Sequence, residues 1–187
     1  MKKKIITVCV IIFTAFGIQA QDNHNHKHNE NAATTMQSFE NVNDSLKSQI
    51  GNLLTDYYTL KDALVASDDA TASKKAKAFR KTLALVDMQK MTSEQHTFFM
   101  SLQKKLDYDA EHIQGSPNID HMREHFASFS ENMFLLVKAF KGSNSAAVYY
   151  DYCPMQKASW LSSEEAIKNP YYGKQMLTCG KITDTIK

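Results

Sequence analysis

The chain has no Gly-rich phosphate loop, no G-x-S-x-G elbow, no C-x-x-C pair and no H-E-x-x-H helix. Each absence removes the cradle, nucleophile or ligand spacing on which phosphoryl transfer, serine hydrolysis, dithiol exchange or zinc proteolysis is built. An excess of one charge is also missing. Lys and Arg number 22 against 20 Asp and Glu, which gives no electrostatic case for nucleic acid or an anionic membrane surface. No internal repeat and no strand-turn-strand array interrupts residues 40–141.

One short motif stands against these absences. His121-Met122-Arg123-Glu124-His125 matches the inverted zinc-peptidase pattern H-x-x-E-H. A catalytic zinc takes a third protein ligand and works in a substrate cleft, which a small helical bundle lacks. His121 and His125, four apart on one helix face, are therefore read as a metal clip or as plain surface residues. No enzymatic activity is expected.

The chain opens with Lys2, Lys3 and Lys4, runs uncharged from Ile5 to Gln19 and reaches the small residue Ala20. These are the parts of a cleavable signal peptide, 1–20, and the uncharged run is short of the ~20 residues that span a membrane. The expectation is an exported, periplasmic protein that begins at Gln21 and has no other membrane contact. Cleavage removes three basic and no acidic residues, leaving 19 against 20. Residues 21–38 are polar and poor in large apolar side chains, a disordered tail. Its His24-Asn25-His26-Lys27-His28 run is either a metal-wrapping tract or a solvated spacer.

From about 40 to 141 the apolar residues keep the helical period. Val42, Leu46, Ile50, Leu53, Tyr57, Leu60 and Leu64 form one stripe, and Ala72, Ala76, Phe79, Leu83 and Val86 a second. The third runs Phe99, Leu102, Leu106, Ala110, Ile113; the fourth runs Ile119, Met122, Phe126, Phe129, Met133, Leu136, Phe140. Asp68, the Thr92/Gln95 capping box and Ser116-Pro117 are read as helix starts, and Gly142-Ser143 as the last stop. Four amphipathic helices on short links predict an all-α fold, an antiparallel four-helix bundle within a single domain at 39–187. From about 146 the text changes: the only Trp, two of the three Pro, Cys153 and Cys179 all lie there. A short strand is expected at 148–152 and a helical turn capped by Ser162 with Glu165. The rest of the segment is read as loop packed on the bundle.

Cys153-Pro154-Met155 and Met176-Leu177-Thr178-Cys179 supply thiolates and thioethers, soft ligands that suit Cu(I) or Ag(I). The opposing reading is a Cys153–Cys179 disulfide, favoured by an even cysteine count in an exported chain. Cys153-Pro154-Met155, Trp160-Leu161-Ser162, Asn169-Pro170-Tyr171-Tyr172-Gly173 and Met176-Leu177-Thr178-Cys179-Gly180 together resemble the signature of an exported bacterial family of unknown function. Arg123 to Ser130 is similar to that family's last long helix. The family occurs alone or attached to periplasmic adaptor subunits of copper, silver and other heavy-metal efflux pumps. The resemblance implies heavy-metal handling, with an efflux adaptor as partner and copper as cargo. The ligand set expected is Cys153, Met155, Met176 and Cys179, followed by His121 and His125; His96 and His112 are read as ordinary helix residues. The alternative is a non-metal interaction module, disulfide-bonded, that docks on an envelope partner.

Overall fold

Four polar side chains set the starts of four helices. Asn43 accepts from the Ser45 N–H ahead of α1, Asp44–Val65. Asp68 accepts from Thr71 ahead of α2, Asp69–Ala84. Thr92 and Gln95 form both halves of a capping box ahead of α3, Ser93–Gly115. Asn118 takes the Asp120 and His121 N–H groups ahead of α4, Ile119–Phe140. Each cap satisfies donors that the first helical turn leaves unpaired. Ser116 and Pro117 do not start α4 as expected; the Ser116 hydroxyl instead bonds both the N–H and the C=O of Asn118, and Pro117 stays in the link.

The computed structural model describes residues 36–141 and 146–187. The segment 1–20, the His24, His26 and His28 tract and the Gly142-Ser143 stop lie outside the described residues. The first residue of the expected domain is anchored. Phe39 donates its N–H to the Ala139 carbonyl at 2.9 Å, and its ring packs on Phe98 and Phe140.

Cross-links between helices run in opposite order along the chain, which makes the bundle antiparallel. Gln49 bonds Asp87 and Asp56 bonds Thr82; Ser73 bonds Gln114 and Arg80 pairs with Asp107. Tyr57 bonds Ser130 while Leu64 accepts from Arg123. Neighbours in sequence pack on each other, and α4 returns to α1 to close the ring. All residues of the four predicted stripes are buried except half-buried Ile119. At the centre Tyr57 stacks on Phe126 and Phe129 at 5.3 and 5.7 Å, and Phe79 meets Phe129 edge-on at 4.7 Å. Rings of this size each contribute about 1.5–3 kcal/mol by leaving water. Among the described residues no helix is long and apolar enough to cross a membrane.

The fold is not purely all-α, because the C-terminal segment is loop only in part. It holds a three-stranded antiparallel sheet: β1, Val148–Cys153, lies between β2, Ala158–Ser162, and β3, Lys181–Ile186. The strand expected at 148–152 is present and runs one residue further. Ser162 caps no helical turn; its hydroxyl bonds the N–H and C=O of Glu164 in a bend. The sheet packs through β2 on α4, with Tyr150 stacked on Phe134 at 4.0 Å. The Leu161 N–H donates to the buried Tyr57 hydroxyl at 3.0 Å, so a backbone group on the edge of β2 finds its partner inside the bundle.

Residues 163–180 return from β2 to β3 and are tied to the bundle at Arg123. Its guanidinium donates to Pro170 O, Leu64 O and Ser67 Oγ at 2.9, 3.2 and 2.9 Å. Gly173 sits in this junction with φ of +52°, and a Cβ there would lie 2.6 Å from Ser67 Oγ and 2.8 Å from Val65 O. The serine can rotate, whereas the carbonyl belongs to the end of α1 and cannot. Gly173→Ala is expected to cost at least about 2 kcal/mol, from the left-handed backbone plus the close contact. Urea unfolding measures it; a loss under ~0.5 kcal/mol would show that the junction is loosely packed.

Candidate functional site

Strand pairing and one asparagine bring the two cysteines together. Cys153 ends β1, opposite Ala158 of β2, and is fully buried. Cys179 stands just before β3 and is half-buried. Asn169, itself buried, donates its side-chain amide to Cys179 O at 2.7 Å and its backbone N–H to Leu177 O at 2.8 Å, while its Oδ1 accepts from Tyr171 N–H at 2.8 Å. That brace holds the Met176–Cys179 turn, which closes by a 3.0 Å bond from Cys179 N–H to Met176 O.

The two sulfurs are 3.8 Å apart and both thiols are free. A disulfide needs about 2.05 Å. Two thiolates on one zinc-like centre at the usual ~2.3 Å lie roughly 3.8 Å from each other. The turn after Cys153 aims backbone donors at both sulfurs: Gln156 N–H at Cys153 Sγ, 3.5 Å away, and Met155 N–H at Cys179 Sγ. Burial, then the neighbouring Cys153, raises the Cys179 thiol above its ordinary value, against the pull of the Met155 N–H. The thiol therefore keeps its proton until something displaces it.

The other sequence-predicted ligands are placed less tightly. Met155 lies on the β1–β2 turn and is 62% exposed. Met176 is half-buried, on the strap that carries Cys179. His121 and His125 belong to a different cluster, on the hairpin of α3 and α4. There His112, read from sequence as an ordinary helix residue, stacks on His125 with centroids 4.4 Å apart, and His121 meets His125 edge-on at 4.8 Å. Beneath them the buried Asp109 takes His125 Nδ1 at 3.1 Å and the Ser128 hydroxyl at 2.7 Å. Burial raises the Asp109 carboxyl and lowers the His125 imidazole, each partly countered by their mutual hydrogen bond. Among the described residues no three His, Cys, Asp or Glu side chains are grouped so as to hold a metal ion as they stand.

Sequence reasoning also missed Asp151. It is fully buried on β1, two residues before Cys153, and neither carboxylate oxygen has a hydrogen-bond partner. Burial pushes its carboxyl up to about 6, against the opposing charge of Lys61. No local pattern marks such a residue; only the tertiary fold buries it.

With the helices and the thiol pair placed, comparison with known proteins adds one family. Residues 53–145 match the model of a family described as protein of unknown function, DUF3347. The DUF3347 match covers the chain from Leu53 of α1 to the end of α4 and stops before Cys153. It therefore relates the bundle to that family and leaves the sulfur-bearing segment outside the matched region. No curated protein matches the chain, and no solved structure does.

Proposed function

We propose that the protein is an exported soft-metal carrier that takes Cu(I) or Ag(I) on Cys153 and Cys179 and buffers it or passes it to a heavy-metal efflux adaptor, without catalysing a reaction. The observation that carries this reading is the 3.8 Å separation of two free sulfurs, one buried and one half-buried, with backbone N–H groups directed at both. Such donors stabilise a thiolate pair, and a soft ion prefers thiolate to oxygen. Met176, three residues before Cys179, and Met155, after Pro154, are the nearest soft donors in sequence to complete the shell. The signal-like leader and the resemblance of the C-terminal motif support export and efflux. The same closeness favours a second reading, a Cys153–Cys179 disulfide that forms on oxidation and stiffens an interaction module.

Titrating the reduced, exported chain with Cu(I) against a competing chelator tests the first reading. Cys153→Ser and Cys179→Ser are each expected to lower affinity by more than ~100-fold, because a hydroxyl is a hard ligand. Met155→Leu and Met176→Leu should weaken it less, and uptake should release protons and fade at low pH. Equal, weak binding in wild type and both Cys variants would sink the carrier. A thiol count of zero on the protein as isolated would instead support the disulfide.

A further inference from the structure

We infer that His112, His121 and His125 form a second metal site, across the α3–α4 hairpin, for a borderline divalent ion such as Zn(II). The inference is independent of the thiol pair.

The argument starts from the ring nitrogens. His112 Nδ1 lies 2.9 Å from the Tyr108 carbonyl, which can only accept, so that nitrogen carries the proton. His125 Nδ1 faces the Asp109 carboxylate at 3.1 Å and His121 Nδ1 faces Glu124 Oε2 at 3.4 Å. Ionised carboxylates likewise only accept. His112 therefore holds its proton on Nδ1 and leaves the Nε2 lone pair free, and the carboxylates beside His125 and His121 favour the same tautomer. A carbonyl or carboxylate behind Nδ1 is the arrangement that orients metal-ligating histidines and raises their basicity.

Asp109 strengthens the point. A buried carboxylate on α3 that takes both His125 and the Ser128 hydroxyl costs desolvation, and a plain surface histidine does not need such a support. The short link 116–118 turns α3 back on α4 and puts His112 beside a pair that is already four apart on one helix face. An open surface hollow lined by Glu111, His112, Gly115, Ser116, Pro117 and His121 gives access from solvent. The rings now touch face to face and edge to face, with His112 and His121 at 6.5 Å, and among the described residues they form no metal-ready group as they stand. His121 is exposed and His112 half-buried, so binding turns these two rings toward His125, which Asp109 fixes. Neutral imidazole suits zinc, and waters complete the shell.

The test uses the exported chain with His24→Asn, His26→Asn and His28→Asn, so that the N-terminal tract cannot bind. Zn(II) is added and the imidazole nitrogens are followed by ¹H–¹⁵N NMR, which reads this site whatever the thiols do. The expected result is that Nε2 of His112, His121 and His125 shift together while each Nδ1 keeps its proton, and that His96 stays unmoved. His112→Gln and His121→Gln should each weaken the Zn(II) response of the remaining rings by at least ~10-fold. His121→Gln, at the exposed position, should leave the metal-free thermal midpoint in place. Imidazole signals that ignore Zn(II), or variants whose remaining rings respond as tightly as the parent, would overturn the site. Loss of Cu(I) binding at the cysteines would not touch it.

Discussion

Trp160→Ala is expected to remove about 3–5 kcal/mol of stability, the range for deleting a fully buried large aromatic ring. Trp160 has no exposed surface and faces Tyr171 edge-on at 6.0 Å. Its far edge lies so close to Gly180 that a Cβ on that glycine would stand 2.7 Å from it. The indole thus fills the space between β2 and the strap of residues 163–180. Neither Tyr171, whose hydroxyl is fixed at 2.6 Å to Ser159 O, nor Gly180 can move in to refill it. A second effect should follow from the first. With the indole gone the strap loosens at Gly180, next to Cys179, and the half-buried thiol should react faster with a water-soluble disulfide reagent. Denaturant unfolding and thiol kinetics measure the two. A loss below about 1 kcal/mol with unchanged thiol reactivity would mean that Trp160 does not hold the strap.

Asp151→Asn should produce the largest pH-dependent effect. The folded-state carboxyl is raised by burial from 3.8 to about 6, with Lys61 opposing. A raised acid binds its proton more tightly folded than unfolded. Its contribution is therefore fully present below about pH 4 and is lost as pH rises through about 6. A rise of about two units corresponds to roughly 3 kcal/mol. Asparagine keeps the shape and cannot ionise, so relative to wild type the variant should gain roughly 3 kcal/mol between pH 4 and pH 8. Subtracting the two curves separates Asp151 from other buried acids, since Asp109 is raised as well. A difference that stays flat across this range would show that Asp151 is charged and solvated in the fold. The carboxyl lies on the same strand as Cys153, so the measurement also reports how dry the ground beneath the thiol pair is.

The helical half of the protein was legible in its sequence because its determinants are local. A 3.6-residue stripe specifies which face is buried whatever the partner is, and every predicted stripe residue but Ile119 is buried. Capping is equally local: Asp68 and Thr92 with Gln95 act within three residues of themselves. The one misplaced start, Ser116-Pro117 instead of Asn118, differs by two residues: the Ser116 hydroxyl takes the Asn118 N–H, and Asn118 takes those of Asp120 and His121.

Of the sheet only β1 was legible, for the opposite reason. β1 pairs with β3 across some thirty residues, Val148 with Ile186 and Tyr152 with Lys181, and no short window of sequence records that pairing. The alternation that marks a half-buried strand is blurred in β1, whose buried residues Val148, Asp151 and Cys153 do not alternate with exposed ones. β3 is mostly polar at an exposed edge and reads as loop. Sequence chemistry singled out Cys153 and Cys179 as soft donors. The tertiary fold decided that Asn169 and the strap bring them to 3.8 Å, and that Met155 is left on an open turn. It also decided that His112 joins His121 and His125, because the register of two antiparallel helices sets which residues face each other across the hairpin. And it created the buried charge at Asp151: a side chain's solvation depends on what folds over it, which its neighbours in sequence do not specify.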